Sequence, residues 1–287
     1  MAVAEAYAPI TATRGRVVAR HRPQRRLDLL SASLLVLVTA IALAAPLLAP
    51  HGPLSPVGTP TAAPGTEGFL LGSDSVGRDI LSRVLYGLRS SWLSALAVVA
   101  SGLVIGGLVG LVAGTRGGWV DNLLMRVTDA FLALPAPVVA IAVVAGLGPG
   151  LLHTLLALSI IWWPFYARIV RGEVRALAAR PHVEAARLAG AGPVRIALRH
   201  LLPGAVPAAV VTASLDIGTL VLTLAGLSFL GLGQSAPAPE LGADAARNLS
   251  YLLQDWWIPV MPGVAVAVLS LAANLAGDGI RNLMPSR

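Results

Sequence analysis

The sequence predicts an all-α, polytopic membrane protein with six transmembrane helices, and three observations predict it. Charged residues make up only 12% of the 287, about half the roughly 25% typical of soluble domains. Hydrophobic residues reach 56% and mean hydropathy is +0.76. The apolar residues come in long runs, with Arg in the segments that flank them, which is the pattern of a chain whose solvent is lipid. The net charge of +7 rests on Arg alone, since the 21 basic residues include no Lys. With abundant Ala, Gly and Pro, this reads as the codon bias of a GC-rich genome. A nucleic-acid role is excluded because the Arg residues border apolar spans and form no basic face. The absence of Cys excludes disulfides and thiolate chemistry.

A helix needs about 20 apolar residues to cross the hydrocarbon core. Six stretches meet or approach that length: residues 29–49, 93–114, 130–147, 151–168, 204–224 and 257–277. The first is too long for a signal-peptide core and follows some 28 residues of Arg-rich tail, so it is expected to remain as a span. Residues 50–92 form an outer segment, with Pro50, Pro53, Pro56, Pro60 and Pro64 marking an irregular loop and an interfacial helix before Trp92. The third and fourth spans, parted only by GLGPG at 146–150, form a hairpin. Residues 93–287 are the core, with a long loop at 171–203. An N-terminus inside puts 17 Arg on the cytoplasmic side and leaves Arg78, Arg83, Arg89 and Arg247 outside. The positive-inside rule therefore gives N-in, C-in.

The 171–203 loop contains EAARLAGAGPVRIALRHLLP at residues 184–203. Pro181 suits the first turn of a helix, where a missing N–H costs nothing. Gly190 suits the left-handed residue that ends it. Gly192-Pro193 restarts a second helix running to about Leu202. A short helix, a glycine turn and a second helix result, with Ala185 and Ala186 leaving room for another surface to approach.

This loop resembles the EAA loop of bacterial ABC-importer permeases: Glu184-Ala185-Ala186, Gly190 six residues on, aliphatic Ile196 six further, and closing Leu202-Pro203. LGSDSVGRDILSRVLYGLRSSW at 71–92 and GLSFLGLG at 226–233 are similar to the C-type permease subunit of dipeptide, oligopeptide and nickel importers. The similarity runs from about Leu27 to Met284. It implies a type I importer permease fold in the bacterial inner membrane. It also implies a heterodimeric pathway with a second related permease, two ATPase subunits or one fused ATPase, and an external substrate-binding protein. ATP and Mg would bind the ATPases, leaving this chain without a cofactor. The first helix of the loop would be the coupling helix that seats on an ATPase; Glu184 could equally pair locally with Arg180 or Arg187. Short peptides are the implied substrate class, with nickel chelates the alternative.

Three further groups carry expectations. Asp74, Arg78 and Asp79 make a charged group at the outer face, with Asp74 and Arg78 at i, i+4 of a helix; they would touch the binding protein or partner permease, or else brace an interfacial helix. Asp216 lies inside the fifth span, where a lipid-facing carboxylate costs about 2.5–3.5 kcal/mol, so it should face the pore or the bundle interior. Asp129 is expected to pair with Arg126. Where many relatives carry an acidic residue ahead of the GLSFLGLG segment, this chain has Leu224. Gly102, Gly106, Gly110 and Gly114 recur at i, i+4, a stripe on which another helix can close.

The chain lacks GxxxxGK[ST], so ATP hydrolysis is expected on another subunit. His51, His153, His182 and His200 stand apart, giving no metal-ligand spacing. No serine has a nucleophile-elbow context, so no catalytic residue is expected. A stand-alone secondary transporter would show inverted repeats and broken midplane helices; one intramembrane carboxylate and no repeat argue against it.

Overall fold

The computed structural model describes residues 22–284 except 67. Of the expected N-terminal tail, 1–28, residues up to 21 lie outside the described residues, as does Arg287, while residues 22–28 are not a separate tail but the first turns of the helix that carries the first span. Long apolar helices dominate. Five are long enough to cross a membrane: α1 (Arg22–Leu48), α2 (Ile80–Arg116), α5 (Leu151–Ala178), the continuous helical run Pro193–Phe229, and α10 (Trp257–Leu283).

The expected third span, 130–147, is not one helix. Helix α3 (Gly118–Leu132) ends there, and α4 (Ala136–Leu147) leaves it at 86°. Leu134 precedes Pro135, which disfavours the helical conformation before it, and Pro135 and Pro137 suit the start of a new helix. At 1.5 Å per residue, the 12 residues of α4 reach about 18 Å, short of the roughly 30 Å core. Only the bent pair together supplies a sixth crossing.

Two predicted boundaries also shift. The interfacial helix and second span are a single helix, since α2 runs 37 residues from its Asp79 cap, about 55 Å. The fourth span extends ten residues past 168 to carry Arg168, Arg171 and Arg175 on α5.

The glycine stripe explains how α2 and α5 meet. A Cβ on Gly106 would sit 2.2 Å from the Trp163 carbonyl oxygen, and one on Gly110 would sit 2.5 Å from that of Ala167. The two backbones therefore touch, as small residues allow in a membrane, whereas Gly107 faces open space. Around this contact lies the main core, with Trp92, Leu158, Tyr166, Leu220, Leu224 and Leu269 all buried. The Trp92 indole N–H donates to Thr39 Oγ1 at 2.9 Å, tying α1 to α2. Asn282 Nδ2 donates to Asp28 Oδ1, tying α10 to α1. A second core toward the cytoplasm joins Leu111, Val174, Leu177, Val183, Ile196 and Leu201.

Candidate functional site

The cytoplasmic loop takes the shape its Gly and Pro residues dictate. Helix α6 (Pro181–Leu188) begins with Pro181 in its first turn. It ends at Gly190, whose φ of +81° is left-handed. The Gly190 N–H donates to the Arg187 carbonyl, and the Ala191 N–H donates to that of Ala186, both at 3.0 Å. These two bonds close a Schellman turn and satisfy orphan carbonyls.

The second helix, α7 (Pro193–Ile196), does not stop at Leu202. A π turn (Ala197–Leu201) carries it directly into α8 (Leu202–Phe229). Pro203 has no N–H to offer, and its ring would collide with the carbonyl four residues back. The Leu202 N–H instead reaches five residues back, to Ala197, and this wider turn absorbs the proline.

The two loop helices are anchored by one residue each, Val183 and Ile196, both buried in the cytoplasmic core. Their other faces are open. Leu188 is 86% exposed, Val194 70% and Leu198 53%. Glu184 and Ala185 are exposed beside them. Glu184 forms no ion pair with Arg180 or Arg187 among the described residues. Next to this loop, the carboxylate of Asp121 is buried and held by Arg171, with Nη2 to Oδ2 at 2.7 Å, and by Arg175 at 3.2 Å. Asp129 pairs with Arg168, not with the expected Arg126; Arg168, Arg171 and Arg175 share the α5 face that turns toward α3.

At the outer face the charged group is more enclosed than the sequence implies. Asp74 and Arg78 are not on a helix. They close a turn in which Asp74 Oδ1 accepts from the Val76 and Arg78 N–H groups, while Oδ2 accepts from Arg78 Nε at 2.6 Å. Asp79 caps α2 through the Leu81 and Ser82 N–H groups. Asp74 and Asp79 are 3% and 2% exposed, so both carboxylates are used within the chain.

The centre of this cap is Arg83. Its Nη2 donates to Asp244 Oδ1 at 2.6 Å and its Nη1 to the carbonyls of Pro53 and Pro237. Asp244 lies on α9 (Leu241–Arg247), which Glu240 caps through the Gly242 and Ala243 N–H groups. Burial pushes the carboxyls of Glu240 and Asp244 above their ordinary values, with Arg83 opposing the shift at Asp244. Asp216 sits midway along α8, half-buried, beside Tyr166 and Trp162 of α5. Among the described residues no cluster of His, Asp and Glu could hold a metal ion.

Residues 106–287 match the family described as binding-protein-dependent transport system inner membrane component. The chain belongs to this family. Its relatives match over most of their length. They include a probable D,D-dipeptide transport system permease of Escherichia coli K12, 39% identical over 90% of this chain and 87% of that one. A di/tripeptide transport system permease of Pseudomonas aeruginosa is 39% identical over 87% and 84%. A glutathione transport system permease of Pectobacterium atrosepticum is 42% identical over 75% and 71%. The solved MetNI methionine ABC transporter in an inward-facing conformation has the same fold (TM-score 0.57, 24% identity, 70% of this chain and 96% of that chain). The protein is thus a multi-pass inner-membrane permease component of an ABC importer, a transport subunit that works with ATPase and binding-protein partners.

Several groups in this permease escape sequence reasoning. Nothing in the spacing links Arg83 to Asp244, 161 residues away. Asp121 could have been suspected, since an acidic residue near Arg171 and Arg175 needs a partner, but only the fold chooses which.

Proposed function

We propose that this permease forms half of a heterodimeric pathway for short peptides, driven by ATP hydrolysis on partner subunits docked at residues 181–203. The observation that carries the reading is the exposed apolar surface of Leu188, Val194 and Leu198 beside Glu184, on a loop otherwise anchored in the core. Exposed apolar side chains grouped on a polar loop mark an interaction surface, and the small Ala185 lets a partner approach closely. The mechanical route is short. Pressure on α6 passes through the Schellman turn into α7 and then, without a break in the helix, into α8. A π turn sits in that route, a feature often found where helices carry function.

ATP and Mg belong to the ATPases, which are either two chains or one fused chain. A second related permease completes the pathway, and an external binding protein delivers cargo to the outer cap. The peptide class is supported by the peptide permeases among the relatives at 38–39% identity.

The test uses the complex reconstituted with its ATPases and binding protein. Glu184→Lys and Leu188→Ser should each lower uptake of a labelled dipeptide about tenfold or more, while the permease stays inserted and assembled with its partner permease. Unchanged uptake in both variants rejects the docking role. Uptake of nickel chelate with no uptake of dipeptide rejects the peptide class.

A further inference from the structure

The open surface of the cytoplasmic loop has a regular chemistry. Each of its three exposed apolar side chains has an arginine beside it in the chain: Arg187 with Leu188, Arg195 with Val194, and Arg199 with Leu198. These three arginines are exposed. None of them makes an ion pair or a side-chain hydrogen bond among the described residues. The arginines of α5 nearer the membrane are different, since Arg168 is matched by Asp129, and Arg171 and Arg175 by Asp121. Glu184 is the one acid between residues 174 and 215, so the loop surface is cationic. The positive-inside rule favours Arg on this side of the membrane. Any position in the loop would satisfy it, however, and it does not call for an arginine beside each exposed apolar residue.

An anionic inner leaflet would also attract such a surface, but the loop stands clear of it. The 28 residues of α5 reach about 42 Å, and the hydrocarbon core takes about 30 Å of that. At the usual tilt of about 20°, the helix overshoots the core by about 9 Å before α6 begins. The headgroup layer adds only about 5–8 Å on each side. Residues 193–203, ahead of the fifth span, measure about 16 Å in the same way. The loop thus meets its partner beyond the lipid, and that partner is a protein. Exposed apolar side chains ask it for an apolar floor, and unmatched guanidinium groups ask it for carboxylates.

We propose that the ATPase groove receiving this loop has an apolar floor for Leu188, Val194 and Leu198 and an acidic rim whose carboxylates pair with Arg187, Arg195 and Arg199. This rests on the docking reading above and names the chemistry of the partner. Charges at a rim steer the encounter and fix register, and salt screens them, whereas salt does not screen the contact of apolar side chains with a floor.

The experiment uses the two assembled permeases in nanodiscs and the purified ATPase of the same importer, with binding measured from low to high salt. Arg187→Glu and Arg195→Glu should each weaken binding about tenfold at low salt, and the double variant more than thirtyfold, with insertion and permease pairing unchanged. The wild type should lose affinity as salt rises, and the double variant much less. Arg187→Lys and Arg195→Lys should bind within threefold of the wild type. Each also places a side-chain amine on a chain that has none. A zero-length carbodiimide should then join that amine to an Asp or Glu of the ATPase, located by mass spectrometry. Unchanged binding in both Glu variants overturns the acidic rim, as does the absence of any bond to the ATPase from both amines. An effect of the Glu variants that is present in anionic nanodiscs and lost in phosphatidylcholine overturns it too, since the arginines then read lipid. If Leu188→Ser weakens binding while the Glu variants do not, docking stands and the rim alone fails. If none of these variants changes binding, both readings fail together.

Discussion

The outer cap and the cytoplasmic loop are both made of short helices and glycine turns, but they solve opposite problems. In the cap, charge is buried and matched. Arg83 is 5% exposed and reaches Asp244, Pro53 and Pro237, so three separate segments meet on one guanidinium. In the loop, apolar surface is exposed and unmatched, and a single buried residue per helix, Val183 and Ile196, fixes it to the bundle. The cap is complete within this chain; the loop has the composition of an interface awaiting its other half. The difference puts matched, buried charge at the outer face and unmatched apolar surface at the cytoplasmic face, where the proposed ATPase contact lies.

The strongest way to break the comparison is at Arg83. Replacing it with Met leaves the buried Asp244 carboxylate without its main partner, and removing one member of a buried pair costs about 3–5 kcal/mol. The expected outcome is a large drop in the thermal midpoint of the purified permease and proteolytic opening of the 50–79 and 234–256 segments. The Arg83→Met/Asp244→Leu double variant should recover much of the loss, because no charge is then left buried alone. Equal instability of single and double variants would show that the cap is held by the carbonyl contacts of Arg83 rather than by its ion pair.

A smaller effect is expected at Gly190, which sharpens the other side. Its φ of +81° is strained for any side chain with a Cβ, yet a Cβ there would meet nothing within 4 Å. Gly190→Val should thus cost only about 1–2 kcal/mol of local turn stability, with little change in the global thermal midpoint. Transport should suffer far more than stability, because the Schellman turn sets the angle between α6 and α7. Asn, which tolerates the left-handed region, should restore most of the uptake. A fall in midpoint as large as that of Arg83→Met would show that the loop is part of the core.

What could be read from the sequence follows the range of the forces. Span positions, orientation and the helix–turn–helix at 181–202 are encoded locally, in hydropathy, Arg placement and the positions of Pro181, Gly190 and Pro193. The glycine stripe was legible for the same reason, since its repeat lies on one helix. Three things were not. The break at Leu134–Pro135 lay inside an apolar run whose hydropathy continues unchanged across it. The fusion of α7 with α8 depends on a π turn that tolerates Pro203, whereas local rules expect a stop there. The partners of Arg83, Asp121 and Asp129 are chosen by tertiary packing: Asp129 has Arg126 three residues away but meets Arg168 across the α3–α5 contact.

The smallest predicted effect tests whether the cap is complete in itself. Glu240 is fully buried, caps α9 through Gly242 and Ala243 and lies 3.3 Å from the Ser91 hydroxyl. Burial pushes its carboxyl above the ordinary value of 4.5. For an acid whose pKa is raised by folding, the native state binds more protons than the unfolded chain between the two values. Stability therefore falls as pH rises through that window and levels off above it. Glu240→Gln keeps one acceptor oxygen and removes the titration. Its deficit relative to wild type should be largest at acid pH and shrink toward neutral, by less than about 1 kcal/mol in all. Asp244, also raised by burial, is present in both proteins and largely cancels in the difference. The measurement is the thermal midpoint of the two proteins across the acid-to-neutral range. A deficit that instead grows with pH would mean that the ionised Glu240 is stabilised by its cap bonds more than burial disfavours it, and that the cap holds this charge as firmly as it holds Arg83.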